Sequence, residues 1–238
     1  MRCIGPTKKS KATYNVVFKN DVPLPKPGEK KGEAPALRVM GTKATFYNCT
    51  FEGGQGALYD QTGLHYFNAC AIKGTIDFIF GSAKSFYEEC KIVSVLKEAV
   101  ALPMAPPEQD RSRNPIKIAP GKSRLAFKTC TIEGEGEKIY LGRVGTPVIY
   151  YYTDIGKEVV GIISDGQDVL LIMYTDERGC WVAFFFYMGY YYATFKCYGP
   201  GMSPMVTSTL TYVQAIPFIG IHYISGESWI ASLPPAEE

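Results

Sequence analysis

One carboxylate stands inside an apolar, β-branched run: Asp77 in Gly74-Thr75-Ile76-Asp77-Phe78-Ile79-Phe80-Gly81. Such a run reads as a strand buried on both faces. Burying an ionised carboxylate costs on the order of several kcal/mol unless it is paired. Asp77 is therefore either a group kept for a purpose or a strand-end Asp that caps a turn. Its neighbours favour the first reading. Gly56, in Gly54-Gln55-Gly56-Ala57-Leu58-Tyr59-Asp60, lies 21 positions before Asp77. Glu33, in Gly32-Glu33-Ala34-Pro35-Ala36-Leu37-Arg38, lies 22 positions before Gln55. A spacing near 21 matches one coil of a parallel β-helix, which sets residues one coil apart on adjacent strands roughly 4.8 Å away. Positions 33, 55 and 77 then form a patch of two carboxylates and an amide on one sheet face.

The cysteines repeat the same period. Cys49, Cys70 and Cys90 are 21 and 20 apart, and Cys130 follows 40 later, about two coils. Each comes after aromatic residues and before a strand-like pair, as in Phe46-Tyr47-Asn48-Cys49-Thr50-Phe51 and Phe86-Tyr87-Glu88-Glu89-Cys90-Lys91-Ile92. An internal repeat of this length points to a solenoid. Small apolar cysteines stacked inside it need no disulfide, although the spacing also allows a bridge. The expected fold is all-β, a right-handed parallel β-helix with long loops, built as a single domain over 1–238. Residues 1–14 are polar, basic and aperiodic, and read as an irregular start. Tyr14 to Asn20 reads as a strand, and the proline-rich stretch from Val22 to Gly28 as a connection. Short strands run from about 34 to 95 and from Leu125 to Tyr152, separated by a long loop over 100–121. Residues 153–190 receive no assignment beyond core strands in the aromatic stretch 180–192. Ser225 to Trp229 and Leu233 to Pro235 read as a tail packed along one side of the solenoid.

Composition removes several function classes. With 238 residues and 46% hydrophobic content the chain can bury one sizeable core. A net charge of +2, with the basic residues mostly scattered, suits an acidic polysaccharide as well as any other partner. No aromatic-interleaved basic stripe argues for nucleic acid. No run of 18 apolar residues argues for a membrane span. Met1-Arg2-Cys3 leads into polar sequence with no visible signal peptide. The two histidines, His65 and His222, come without a Gly-x-Ser-x-Gly elbow, which removes a Ser-His-Asp hydrolase and leaves both as structural residues. No metal-ligand spacing and no phosphate loop occurs, so neither metal nor cofactor is expected.

The segments GEAPALR (32–38), GGQGALYD (53–60), GTIDFIFG (74–81) and YLGRVG (140–145) follow one another in an order and spacing that resemble the plant pectin methylesterases. Phe46 to Cys49, Gly63 to Phe67, Tyr192 to Gly201 and Ala215 to Trp229 extend the resemblance. It implies an aspartyl esterase acting on the C6 methyl ester of galacturonate in pectin (methyl-esterified homogalacturonan). Asp77 would then be the nucleophile. Arg143 would pair with it and keep it ionised. Gln55 would donate to the tetrahedral oxyanion. Tyr59 and Phe80 would wall the sugar subsites, whereas each taken alone reads as core packing; Arg143 taken alone reads equally as a solvated turn residue. The resemblance further implies secretion to the cell wall, a monomer, and a proteinaceous pectinesterase inhibitor as a second partner. Against the family's catalytic domain the chain looks short at its N-terminus by a few coils, exposing a sheet edge unless residues 1–14 cap it.

Three positions depart from the family pattern. Gly56 stands where the family carries the Asp that protonates departing methanol. Glu33 replaces a second amide donor, and an ionised Glu only accepts hydrogen bonds. Val144-Gly145 follows Arg143 where the family has Trp; Trp181 is a substitute for it only if it reaches the groove from elsewhere. Glu33, with its pKa raised near Asp77, is the carboxylate that could stand in for the missing acid. The second function class is a catalytically inactive pectin-binding or inhibitor-binding protein on the same scaffold. Asn48-Cys49-Thr50 is a glycosylation sequon whose Asn is expected to face inward.

Overall fold

A computed structural model describes residues 2–4, 11–23, 34–54, 56–75, 78–95, 116–118, 124–135, 139–143, 147–157, 159–163, 170–175, 181–186, 191–202 and 208–230. Strands follow one another in triplets. The first is β1 (Arg2–Ile4), β2 (Lys11–Tyr14) and β3 (Val17–Lys19). Next come β4 (Leu37–Val39), β5 (Lys43–Tyr47) and β6 (Thr50–Glu52), then β7 (Leu58–Asp60), β8 (Leu64–Asn68) and β9 (Ala71–Gly74). The fourth and fifth triplets are β10 (Ile79–Gly81), β11 (Lys84–Glu88) and β12 (Lys91–Ser94), and β13 (Ile116–Ile118), β14 (Arg124–Lys128) and β15 (Thr131–Gly134). A sixth holds β16 (Ile139–Arg143), β17 (Pro147–Tyr151) and β18 (Asp154–Ile155). Then come β19 (Val159–Ile163), β20 (Leu170–Thr175), β21 (Trp181–Phe186), β22 (Tyr191–Phe195) and β23 (Ser208–Thr209).

Each triplet is one coil. Members pair in parallel with their counterparts in the next coil, giving three sheets ordered β1-β4-β7-β10-β13, β2-β5-β8-β11-β14-β17-β22-β23 and β18-β15-β12-β9-β6-β3, except that β16 pairs with β19 in a separate sheet and does not continue the first. This is the expected parallel β-helix. Leu37, Leu58 and Ile79 stand in register, 21 residues apart at each step, so the sequence period is the coil length. The antiparallel pair β20–β21 departs from the coil pattern.

The interior repeats with the coil. Phe46, Phe67, Tyr87, Phe127 and Tyr150 stack in a column with centroid separations of 5.0, 4.5, 4.6 and 5.0 Å. Beside them Cys49, Cys70, Cys90 and Cys130 are all buried and all free thiols. Each thiol reaches the carbonyl two residues earlier, at 3.3 Å, and one on the preceding coil at 3.5–3.6 Å. Cys130 sits one coil after Cys90, not two, because Glu88 pairs directly with Lys128. The extra residues between them are an insertion within a single coil. Thr153 occupies the next rung and makes the same two contacts through Oγ1, to Tyr151 O at 3.1 Å and Phe127 O at 3.4 Å.

The corner that admits each rung is left-handed. Asn15, Asn48, Ala69, Glu89, Thr129, Tyr152 and Lys196 all have φ between 49° and 55°, and each immediately precedes the inward residue. This conformation costs a non-glycine residue about 1–2 kcal/mol, and cross-coil hydrogen bonds such as Asn48 N to Asn68 O (3.0 Å) hold it. The corner also turns Asn48 outward, contrary to expectation: it is exposed, and its Nδ2 donates to Asn15 Oδ1 at 2.9 Å.

Two further expectations change. Residues 2–4 and 11–14, read as an irregular start, form β1 and β2 on the edges of two sheets. Their sequence lacks alternation because an edge strand is held by its partner's backbone more than by its own burial. Residues 116–118, placed within the long loop over 100–121, form β13 against β10; the remainder of that loop lies outside the described residues. The tail up to Trp229 packs where expected, while Leu233 to Pro235 lie outside the described residues. Leu210, Ala215, Tyr223, Ile224 and Trp229 cover Tyr66, Phe86, Ala126, Ile149, Tyr151, Ala193 and Phe195 on the outer face of the second sheet. The tail contains α1 (Tyr212–Ala215), capped by Thr211 and Gln214, and short 3-10 turns up to Ser228.

Candidate active site on the first sheet

Side chains alternate across β7. Leu58 and Asp60 point into the helix, both buried, and Tyr59 points out, half-exposed. The parallel register carries the alternation across the sheet, so Arg38, Tyr59 and Phe80 form one outward row across β4, β7 and β10. None of the three belongs to the core cluster that holds Leu37, Leu58 and Ile79. Tyr59 and Phe80 stack with centroids 4.4 Å apart and planes 13° from parallel. Arg38 lies over the other face of this pair, its guanidinium carbon 5.1 Å from the Tyr59 centroid, and its Nε donates to Gln61 Oε1. The row is a platform of stacked rings with a cation at one end: Phe80 and Arg38 cover the two faces of Tyr59, and Phe80 itself is buried.

What fixes the platform lies beneath it. Asp60 is 2% exposed and takes hydrogen bonds from His65 Nδ1 and from Tyr87 Oη, the latter at 2.9 Å. His65 Nε2 donates to Gly41 O at 2.8 Å. Both ring nitrogens thus face acceptors, as suits an imidazolium. Burial lowers the pKa of His65, but the charge of Asp60 and the hydrogen bonds to Asp60 and Gly41 outweigh it and leave it raised. The histidine is structural, as its place in the sequence suggests. Gly81, at the end of β10, has φ 145°, and a Cβ there would fall 1.8 Å from Asp60 O. Only glycine lets the Phe80 strand close onto the Tyr59 strand.

The expected site residues fall in three groups. Tyr59 and Phe80 are brought together on the outward side of the first sheet, Tyr59 half-exposed and Phe80 buried. Gly56 is buried just ahead of β7 with φ 72°, two residues before Leu58, while sequence position 77 stands two before the in-register Ile79. Arg143 ends β16, which pairs with β19; its side chain, with Asp77, Gln55 and Glu33, lies outside the described residues, as does the Trp181 side chain. Arg38 and Gln61 were not singled out from the sequence. The signal was available, since Arg38 stands 21 positions before Tyr59, the coil period itself. Among the described residues no cluster of His, Cys, Asp or Glu could hold a metal ion, and no helix is long and apolar enough to cross a membrane.

Coils of three short parallel strands around a stacked interior define the chain as a parallel β-helix. A family model described as Pectinesterase matches residues 9–145. The chain belongs to the pectinesterase family. It is 36% identical over 224 residues to an Arabidopsis thaliana protein named "Putative pectinesterase 14", covering 91% of this chain and 61% of that protein. The chain thus spans about three-fifths of that relative. Among solved structures it is similar to a pectin methylesterase from carrot, with TM-score 0.68 and 19% identity over 93% of this chain and 69% of that one. It is also similar to a pectin methylesterase in complex with a hexasaccharide, with TM-score 0.62 and 20% identity over 95% and 73%.

Proposed function

We propose that the chain demethylesterifies homogalacturonan in the plant cell wall, slowly, through Asp77. The carboxylate of Asp77 attacks the C6 carbonyl, methanol leaves, and water hydrolyses the acyl-enzyme. Arg143 orients Asp77 and Gln55 donates to the oxyanion. Tyr59, with Phe80 stacked behind it, walls the sugar subsite and meets the pyranose C–H surface with its exposed edge. The observation that carries the reading is the stacked, outward Tyr59–Phe80 pair on the sheet whose strands begin just after positions 56 and 77. Gly56 cannot give methanol its proton, and an ionised Glu33 opposes the oxyanion, so turnover is reduced by about 10²–10⁴. A proteinaceous pectinesterase inhibitor is a second proposed partner, and the chain acts as a monomer.

The glycine at position 56 favours a second reading, a pectin-binding protein without turnover. Methanol release from methyl-esterified pectin separates the two. Slow release that disappears in Asp77→Asn supports the esterase. Pectin binding with no release from either protein supports the binding protein. Neither binding nor release overturns both.

A further inference from the structure

Arg38 extends the platform by one coil, and its geometry is that of a receptor more than of a structural cation. Its guanidinium lies over the Tyr59 ring, and its Nε edge is engaged by Gln61. A guanidinium has five N–H donors in a planar fork, so four remain after the bond to Gln61. Among the described residues no carboxylate pairs with Arg38; the ion pairs found there involve Lys19, His65, Lys91 and Lys128. The cation is held in place from two sides and half-exposed at the surface.

We propose that Arg38 binds the free carboxylate of a galacturonate unit that has already lost its methyl group. The proposal rests on the esterase reading for its ligand. The polymer carries two kinds of C6 group, a neutral methyl ester and an ionised carboxylate. The planar fork matches the carboxylate in a bidentate, charge-assisted pair and gains little from the ester. Arg38 lies two strands from Phe80, roughly 10 Å along the sheet at one strand spacing per coil. A carboxylate held there places a different sugar of the same chain against the aromatic pair and position 77. Each ester opened creates a new carboxylate, so the product of one event, moved along the groove, becomes the ligand that anchors the next. Arg38 thus favours esters flanked by free acid on that side.

The test compares wild type, Arg38→Gln and Arg38→Lys for binding to unesterified polygalacturonate and to highly methyl-esterified pectin, by calorimetry at low and high salt. Methanol release on both esterified and partly de-esterified pectin runs alongside. Arg38→Gln should lose about tenfold in affinity for the unesterified polymer and less than about twofold for the esterified one, with the difference shrinking as salt rises. Arg38→Lys should recover part of it. Gln61→Ala, which releases the Nε edge, should lower the same selectivity and serves if Arg38→Gln does not fold. Equal weakening on both polymers, or on neither, overturns the proposal. Arg38-dependent selectivity without methanol release from wild type keeps the carboxylate site and sinks the esterase reading. Methanol release with no such selectivity does the reverse.

Discussion

His65 and Asp60 form an ion pair inside the coil, with Tyr59, the residue before the aspartate, facing the opposite way onto the open platform. The pair shares its carboxylate with Tyr87, a member of the interior aromatic column. The platform is therefore anchored through the core by one ion pair and two further hydrogen bonds, from Tyr87 to Asp60 and from His65 to Gly41 O. Because the pKa of His65 is raised on folding, the sign of its pH dependence is fixed. The contribution is fully present below the ordinary imidazole value of about 6.5 and is lost as pH rises through the higher folded value. Urea unfolding over a pH series should show wild type losing stability on the alkaline side relative to His65→Gln. At mildly acidic pH that variant should be less stable by about 3–5 kcal/mol, the cost of leaving a buried charge unpaired.

The rung residues should tolerate a hydroxyl. Thr153 already bonds the two carbonyls equivalent to those the cysteines bond on their own coils, so Cys130→Thr should cost less than about 1.5 kcal/mol, while Cys130→Leu should cost about 1–3 kcal/mol through overpacking. Burial pushes the Cys90 thiol pKa up, and that of Cys197 to about 11. Alkylation with mass readout should leave Cys49, Cys70, Cys90 and Cys130 unmodified in the native protein and modify all four in denaturant.

Tyr59 is half-exposed whereas Phe80 is buried, so trimming Tyr59 should act on binding more than on stability. Tyr59→Ala should weaken pectin binding by about fivefold to tenfold, the range set by an aromatic contact of ~1 kcal/mol or slightly more. Its unfolding midpoint in denaturant should stay close to wild type. A large drop in stability with unchanged affinity would show that the pair only packs.

Restoring the proposed acid should restore rate. Gly56→Asp with Glu33→Gln should raise methanol release by about 10²–10⁴, and Gly56→Asp alone by less. Gly56 has φ 72°, a conformation that Asp and Asn adopt more readily than most side chains, at a cost of roughly 1–2 kcal/mol. The double variant should therefore be faster and slightly less stable, as kinetics and denaturant unfolding can show together.

The cysteine period and the motif order made the coil, the interior ladder and the Tyr59–Phe80 neighbourhood legible in the sequence, because each repeats at the spacing that sets strand register. The edge strands were not. Arg2 to Ile4, Lys11 to Tyr14 and Ile116 to Ile118 are short, and they form by hydrogen bonding to β4, β5 and β10. Backbone pairing of that kind leaves almost no pattern in side-chain types. The corners were invisible for a related reason: Ala69, Glu89, Tyr152 and Lys196 adopt the left-handed bend without a glycine. The signal lay in the inward residue that follows. Arg38 escaped notice because a single outward cation on a strand looks like any solvated one until the register sets it beside Tyr59.

The uniform corner also means that conformational tension in this chain is divided among many small, equivalent places away from the aromatic row. Asn15 and Asn48 already meet across adjacent coils at this bend, with a side chain suited to it. Continuing that asparagine line through Ala69, Glu89 and Thr129 would relieve the same bend repeatedly, at corners that hold none of Arg38, Tyr59 and Phe80. The solenoid thus carries reserve for engineering robustness in modular steps, one coil at a time, with the outward row of the first sheet left as it is.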